Sequence, residues 1–215
     1  MTADQKSKLF EEIRRHPSTN SRVWRRRVVL GLGLALTLSL LIFGYVGALR
    51  PAPRTPGLIL ATSLGAGCVA ALAFFVALGR GGSAVGRPRR VLLLLVLAVP
   101  LLLFGWKLGW SRLDPAMMAS WPERPGFRCF GLSLSTGIGP LLALAMLWRD
   151  RDPVHGPLTG AAFGVASGAF AWVLVDLWCP VGYAPHLVLG HLLPMLLLTV
   201  VGAILGWRVI ALREG

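Results

Sequence analysis

The chain has 215 residues, of which 55% are hydrophobic and only 14% charged, yet its formal net charge is +13. A nucleic-acid-binding domain of that charge would gather its arginines on one face. Here they fall between long apolar blocks, which excludes that class and points to an integral membrane protein of one domain plus a tail.

Six apolar blocks, each long enough to cross a hydrocarbon core of ~30 Å, predict an all-α polytopic bundle. Residues 1–27 come first and are polar and basic. Within them Leu9, Phe10 and Ile13 share one face of a short amphipathic helix that Pro17 ends, and Arg25, Arg26 and Arg27 abut the first apolar run. The expected spans are 28–49, 57–78, 91–110, 129–148, 157–179 and 186–210, followed by a short tail, 211–215. The first run is too long for the core of a cleavable signal peptide and reads as a signal anchor. Pro100 predicts a kink in the third span. The connections at 50–56 and 111–128 are proline-rich, that at 79–90 carries four arginines, and the last turn, 180–185, has no charge.

Charge sets the expected orientation. The N-terminal tail, the second and fourth connections and the C-terminus carry 16 basic residues. The opposite connections and their flanks carry six, with Lys107 counted among them. The positive-inside rule then places both termini in the cytoplasm. Trp106, Trp110, Trp121 and Trp178 fall at the outer interface, and Trp24, Trp148 and Trp207 at the inner one, as an aromatic belt requires.

The fifth span holds the most informative residues. Gly160, Gly164 and Gly168 recur every four positions and form a stripe against which a second backbone can pack. Asp176 is an acid inside an apolar segment, so it should face the bundle or a wet cleft, and His191 is a candidate hydrogen-bond partner. Cys179 closes the span on the face of the glycine stripe, and Cys129 opens the fourth span at the same end of an antiparallel hairpin. Two inward thiols there are close enough for a disulfide. From spacing alone they read first as a structural bridge or as two unrelated interfacial thiols, and then as a redox or thiophilic-metal sensor on the oxidising side of the membrane.

His186 and His191 begin the sixth span on that side and are of ligand type. Five positions amount to about 140° around an α-helix, so both face one ion only if the helix starts after His186. They otherwise read as interfacial histidines. Cys68, in the middle of the second span, is expected to be a small buried hydrophobe.

The sequence has no C-x-x-C, HExxH, GxSxG or P-loop, and no carboxylate pair for hydrolysis, so it offers no positive sign of an enzyme, a cofactor or a small-molecule substrate.

Several stretches together resemble the NrsF-type membrane anti-sigma factors. They are the single cysteines bracketing a hairpin, HGPLTGAAFGVASG, LWCP before the outer turn, HLLPMLLLTVVGAILGWRVIALR, and the start KLFEEIRRHP running into VWRRR. The resemblance implies a bacterial inner-membrane protein whose cytoplasmic tail binds an ECF-type sigma factor. It also implies that Cys129 and Cys179 sense oxidants or heavy metals. The chain departs from the pattern in its third cysteine, Cys68, and its tail is short for an inhibitor, so the loops are expected to share in binding. The tail residues Leu9, Phe10, Ile13, Arg14 and Arg15 suit a groove in a partner protein, or anionic membrane lipid through Arg14, Arg15 and Arg22. The competing functions are a small transporter or metal exporter, and a scaffold braced by a disulfide. No direct nucleic-acid contact is expected.

Overall fold

The computed structural model describes residues 21–47, 56–79, 88–113, 124–149 and 155–210. The tail residues Leu9, Phe10, Ile13, Arg14 and Arg15, and residues 211–215, lie outside the described residues. Six helices are long and apolar enough to cross a membrane. They are α1 Ser21–Gly47, α2 Pro56–Leu78, α3 Arg89–Ser111, α4 Phe127–Leu147, α5 Gly156–Trp178 and α6 Ala184–Ile210. Among the described residues there is no strand. Helices meet the demand of a lipid environment because every mid-helix N–H and C=O is paired within its own segment.

Five spans begin within two residues of their expected starts. The exception is α1, which starts at Ser21 and so takes the arginine cluster into the helix.

α5 is the central helix. In its most apolar stretch 83% of residues are buried, against 6% in α1. It packs most extensively on α6, and α2, α3 and α4 surround it. The core runs along it, with Ala162, Phe163, Val165, Ala166, Ala169 and Trp172 meeting Leu103, Leu141, Leu144 and Leu198. α1 lies outside against α4, tied by the Ser39 hydroxyl, which donates to the Thr136 carbonyl at 2.7 Å. Its outward Leu30, Leu34, Leu41 and Tyr45 are exposed, which suits contact with lipid.

The glycine stripe determines how closely α5 and α6 approach. A methyl group on Gly160 would run into the carbonyl of Gly202, and one on Gly164 into the carbonyl of Leu198. At Gly168 it would stand 2.6 Å from Met195 Cγ. At Gly160 and Gly164 backbone meets backbone, so no side chain can rotate away to make room; at Gly168 the nearest neighbour is the Met195 side chain. The stripe is therefore a packing device, as its four-residue recurrence implies.

One expectation fails in this region. Cys68 is exposed on the outside of α2, not buried. The inward face of that helix is instead made by Thr62, Ser63, Ala66, Ala70, Ala73 and Ala77, and position 68 is turned away from it. An apolar helix of nearly even hydrophobicity gives no sequence signal for its rotation.

Candidate functional site

The connection before α4 ends at Gly126, whose φ of 106° is a left-handed conformation that side-chain-bearing residues rarely adopt. From there Cys129 enters in the first turn of α4, buried to 3% exposure. A methyl on Gly190 of α6 would lie 3.0 Å from Cys129 Cβ, so the bare backbone of α6 is what admits Cys129. Cys179 caps the C-terminus of α5, its N–H donating to the Val175 carbonyl at 2.8 Å. Both thiols are free, and they share a pocket walled by Leu132, Val175, Val181, Tyr183 and Trp178.

α6 adds two imidazoles. His186 Nε2 lies 3.2 Å from Cys179 Sγ. His186 Nδ1 donates to the Arg124 carbonyl at 2.7 Å, and the Tyr183 hydroxyl donates to the same oxygen at 2.9 Å. His191 stands behind, its ring centroid 5.6 Å from that of His186 and 5.0 Å from Trp172. It is 1% exposed, and neither of its ring nitrogens has a hydrogen-bond partner. One ligand atom from each of Cys129, Cys179, His186 and His191 lies within 4.8 Å of the others.

This convergence corrects the helical-wheel reading of the two histidines. The helix starts at Ala184, before His186, and still brings both rings together, because Val188–Leu192 is a π turn. Its i→i+5 hydrogen bonding widens the turn, so positions five apart come toward one face instead of diverging by about 140°. Ser133 of α4 supports the turn by donating to the Gly190 carbonyl at 3.3 Å.

Cys179 sits just past the end of its span, and its thiol titrates well below the ordinary thiol range. The hydrogen bond from Cys129 is the main cause, His186 adds to it, and burial opposes it.

Asp176 faces the bundle as expected, but its partner is Lys107, not His191. The two form an ion pair with both side chains 1% exposed. Ser63 donates to Asp176 Oδ2 at 3.2 Å, and Lys107 Nζ lies 3.4 Å from the Cys179 carbonyl. Reading Lys107 as a basic flank of the outer connection is thus a second correction. An available signal was that an intramembrane acid needs a base, and Lys107 lies inside the expected span 91–110. With Lys107 inside the bundle, the opposite flanks keep five basic residues against 16.

Trp106, expected at the interface, also ties two helices together, and Trp172, which the sequence does not single out, has a place in the site. Trp106 Nε1 donates to the Thr62 carbonyl of α2 at 3.0 Å, and Trp172 is a buried wall of the histidine pocket.

The arrangement therefore offers two thiols and two imidazoles, donors that suit soft and borderline metals or thiol-directed oxidants, at the same end of the bundle. No curated protein and no solved structure matches the chain. A family model does, over residues 10–211, nearly the whole length. The chain belongs to the NrsF family, described as negative regulator of sigma F.

Proposed function

We propose that this protein is an anti-sigma factor of the bacterial inner membrane that holds an ECF-type sigma factor and releases it when Cys129 and Cys179 react. The coarse role, negative regulation of a sigma factor, follows from the family. The observation that carries the finer reading is the pair of buried, free thiols at the meeting point of α4, α5 and α6, one of them next to an imidazole.

Chemistry there bears directly on helix packing. Cys179 ends α5, on which four other spans rest, and Cys129 starts α4, which carries α1. A disulfide, or a soft metal between the thiolates, pulls these two helix ends together. Such a change alters regulation only if it stabilises one of two bundle arrangements more than the other. On the opposite side of the membrane, Leu9, Phe10 and Ile13 form the apolar face offered to the sigma factor, with Arg14 and Arg15 beside it. The basic connection at 79–90 and anionic lipid contribute to that binding surface.

The test is co-purification of the full chain with its sigma factor from membranes, before and after diamide or cadmium. Release on treatment of the native chain, and retention after Cys129→Ser or Cys179→Ser, supports the proposal. Retention by the treated native chain, or failure to capture any sigma factor, rejects it.

A further inference from the structure

We propose that Cys129, Cys179, His186 and His191 together bind one divalent ion of the zinc(II) or cadmium(II) class, with both histidines as direct ligands. This deepens the reading of the thiol pair as a signalling site, and its regulatory meaning rests on that reading.

Four features of the cluster support it. First, the donor atoms already lie within 4.8 Å of one another. Tetrahedral bonds of ~2.3 Å to sulfur and ~2.0–2.1 Å to nitrogen place neighbouring donors roughly 3.3–3.8 Å apart. The remaining contraction is within the reach of side-chain rotation.

Second, the proton on His186 is assigned by its surroundings. A carbonyl accepts only, so Nδ1 must carry the hydrogen that meets Arg124. Nε2 then presents its lone pair toward Cys179 Sγ. A histidine anchored through its second nitrogen to a backbone carbonyl is the usual outer support of a metal ligand.

Third, His191 is 1% exposed and both its ring nitrogens lack a partner. Buried polar atoms are nearly always paired, and an ion at the centre of the four donors would pair one of these. Fourth, the π turn Val188–Leu192, a geometry that regular helix propagation does not produce, is what turns His191 onto the side of His186.

Charge balance then selects the class of ion. Both cysteines bind as thiolates, so any thiol proton still present leaves as the divalent ion enters. Two thiolates, two neutral imidazoles and a divalent ion sum to zero. Copper(I) in the same shell would leave a net negative charge in a buried pocket. Lys107 is not free to balance that charge, because it is paired with Asp176. A neutral centre is far cheaper to bury than a charged one. Magnesium and calcium require oxygen donors that these four residues do not supply.

The experiment uses the full chain in detergent micelles, loaded with zinc(II) and studied by X-ray absorption. The expected first shell is two sulfurs and two nitrogens, with the outer-shell scattering of imidazole and one zinc per chain. Cobalt(II) titration should give intense tetrahedral d–d bands together with thiolate charge-transfer absorption. His191→Gln should weaken cobalt binding at least tenfold, as should His186→Gln, while Cys68→Ser should leave it unchanged. Helix content by circular dichroism identifies any variant that fails to fold, and the native zinc spectrum stands without variants.

A shell of sulfur and oxygen only, or full-strength binding by both histidine variants, overturns the proposal. So does absence of binding by the native chain. Thiol alkylation separates this inference from the reading beneath it. If alkylating Cys129 and Cys179 releases the sigma factor while zinc does not bind, the thiol switch stands and the metal centre falls. If zinc binds as described but alkylation releases nothing, the metal centre stands and the signalling reading falls.

Discussion

Lys107 of α3 and Asp176 of α5 form an ion pair buried to 1% exposure on both sides, and the same ammonium lies 3.4 Å from the carbonyl of Cys179. The carboxylate also accepts from Ser63, so three helices meet at one acid. The thiol cluster and the bundle core are thereby joined through the backbone at Cys179. Removing one charge leaves the other buried without its counter-ion, the more damaging kind of change. Lys107→Met and Asp176→Leu should each destabilise the bundle by about 3–5 kcal/mol, whereas the double variant Lys107→Met with Asp176→Leu should cost much less than their sum. Resistance to unfolding in detergent by SDS titration measures this. Additive losses in the double variant would show that the pair is not coupled.

The α5–α6 contact yields a second prediction. Gly164 faces the backbone of Leu198 and Thr199, so Gly164→Leu must force two helices apart and should cost at least about 1–3 kcal/mol. Gly67 has nothing within 4 Å of an added methyl, and Gly67→Ala should leave stability unchanged or raise it by up to about 1 kcal/mol. Thermal aggregation midpoints of the purified variants make the comparison. Equal tolerance at the two sites would mean that α5 and α6 do not pack through the glycine stripe.

Tyr183 tests the support of the histidine pocket. Its hydroxyl and His186 Nδ1 share the Arg124 carbonyl. Tyr183→Phe should therefore cost about 0.5–1.5 kcal/mol, the range for one hydrogen bond, and keep the second anchor of that carbonyl. Protease protection of the connection before α4 reads the effect. Complete loss of folded protein would assign Tyr183 a larger structural role than this one bond.

Sidedness is a prediction of its own. The basic asymmetry predicts a cytoplasmic location for the connection at 79–90 and for both termini. Reporter fusions at residue 85 and at the C-terminus should report cytoplasm, and one near residue 118 periplasm. A periplasmic C-terminus would invert the whole arrangement and put the thiol cluster on the cytoplasmic side.

The parts of this fold legible in the sequence are those set by length and composition. Six apolar runs of spanning length gave six helices, and hairpin connectivity alone put Cys129 and Cys179 at one end. The glycine stripe announced a backbone contact because nothing else explains glycine every fourth position. What escaped the sequence depends on helix rotation and on local departures from 3.6 residues per turn. Cys68 was misjudged because α2 is apolar all round, so no pattern marks its inner face. Lys107 looked like a flank because a long cationic side chain near a helix end ordinarily snorkels to water, and only the position of Asp176 on a different helix draws it inward. On a regular helical wheel His186 and His191 point apart, and the π turn that brings them together is a tertiary outcome that no motif in VLGHL announces.

The central claim is that the thiol cluster governs release of the sigma factor, and the most direct measurement is target-gene induction with the protein followed by immunoblot. Cells carrying the native chain are challenged with oxidant or cadmium beside cells carrying Cys129→Ser, Cys179→Ser, the double variant, or Cys68→Ser. The account predicts that each single serine variant abolishes induction at unchanged protein level, that the double variant equals either single, and that Cys68→Ser induces normally. Full induction in the single variants, with only their abundance reduced, would contradict it and leave Cys129 and Cys179 as a structural brace.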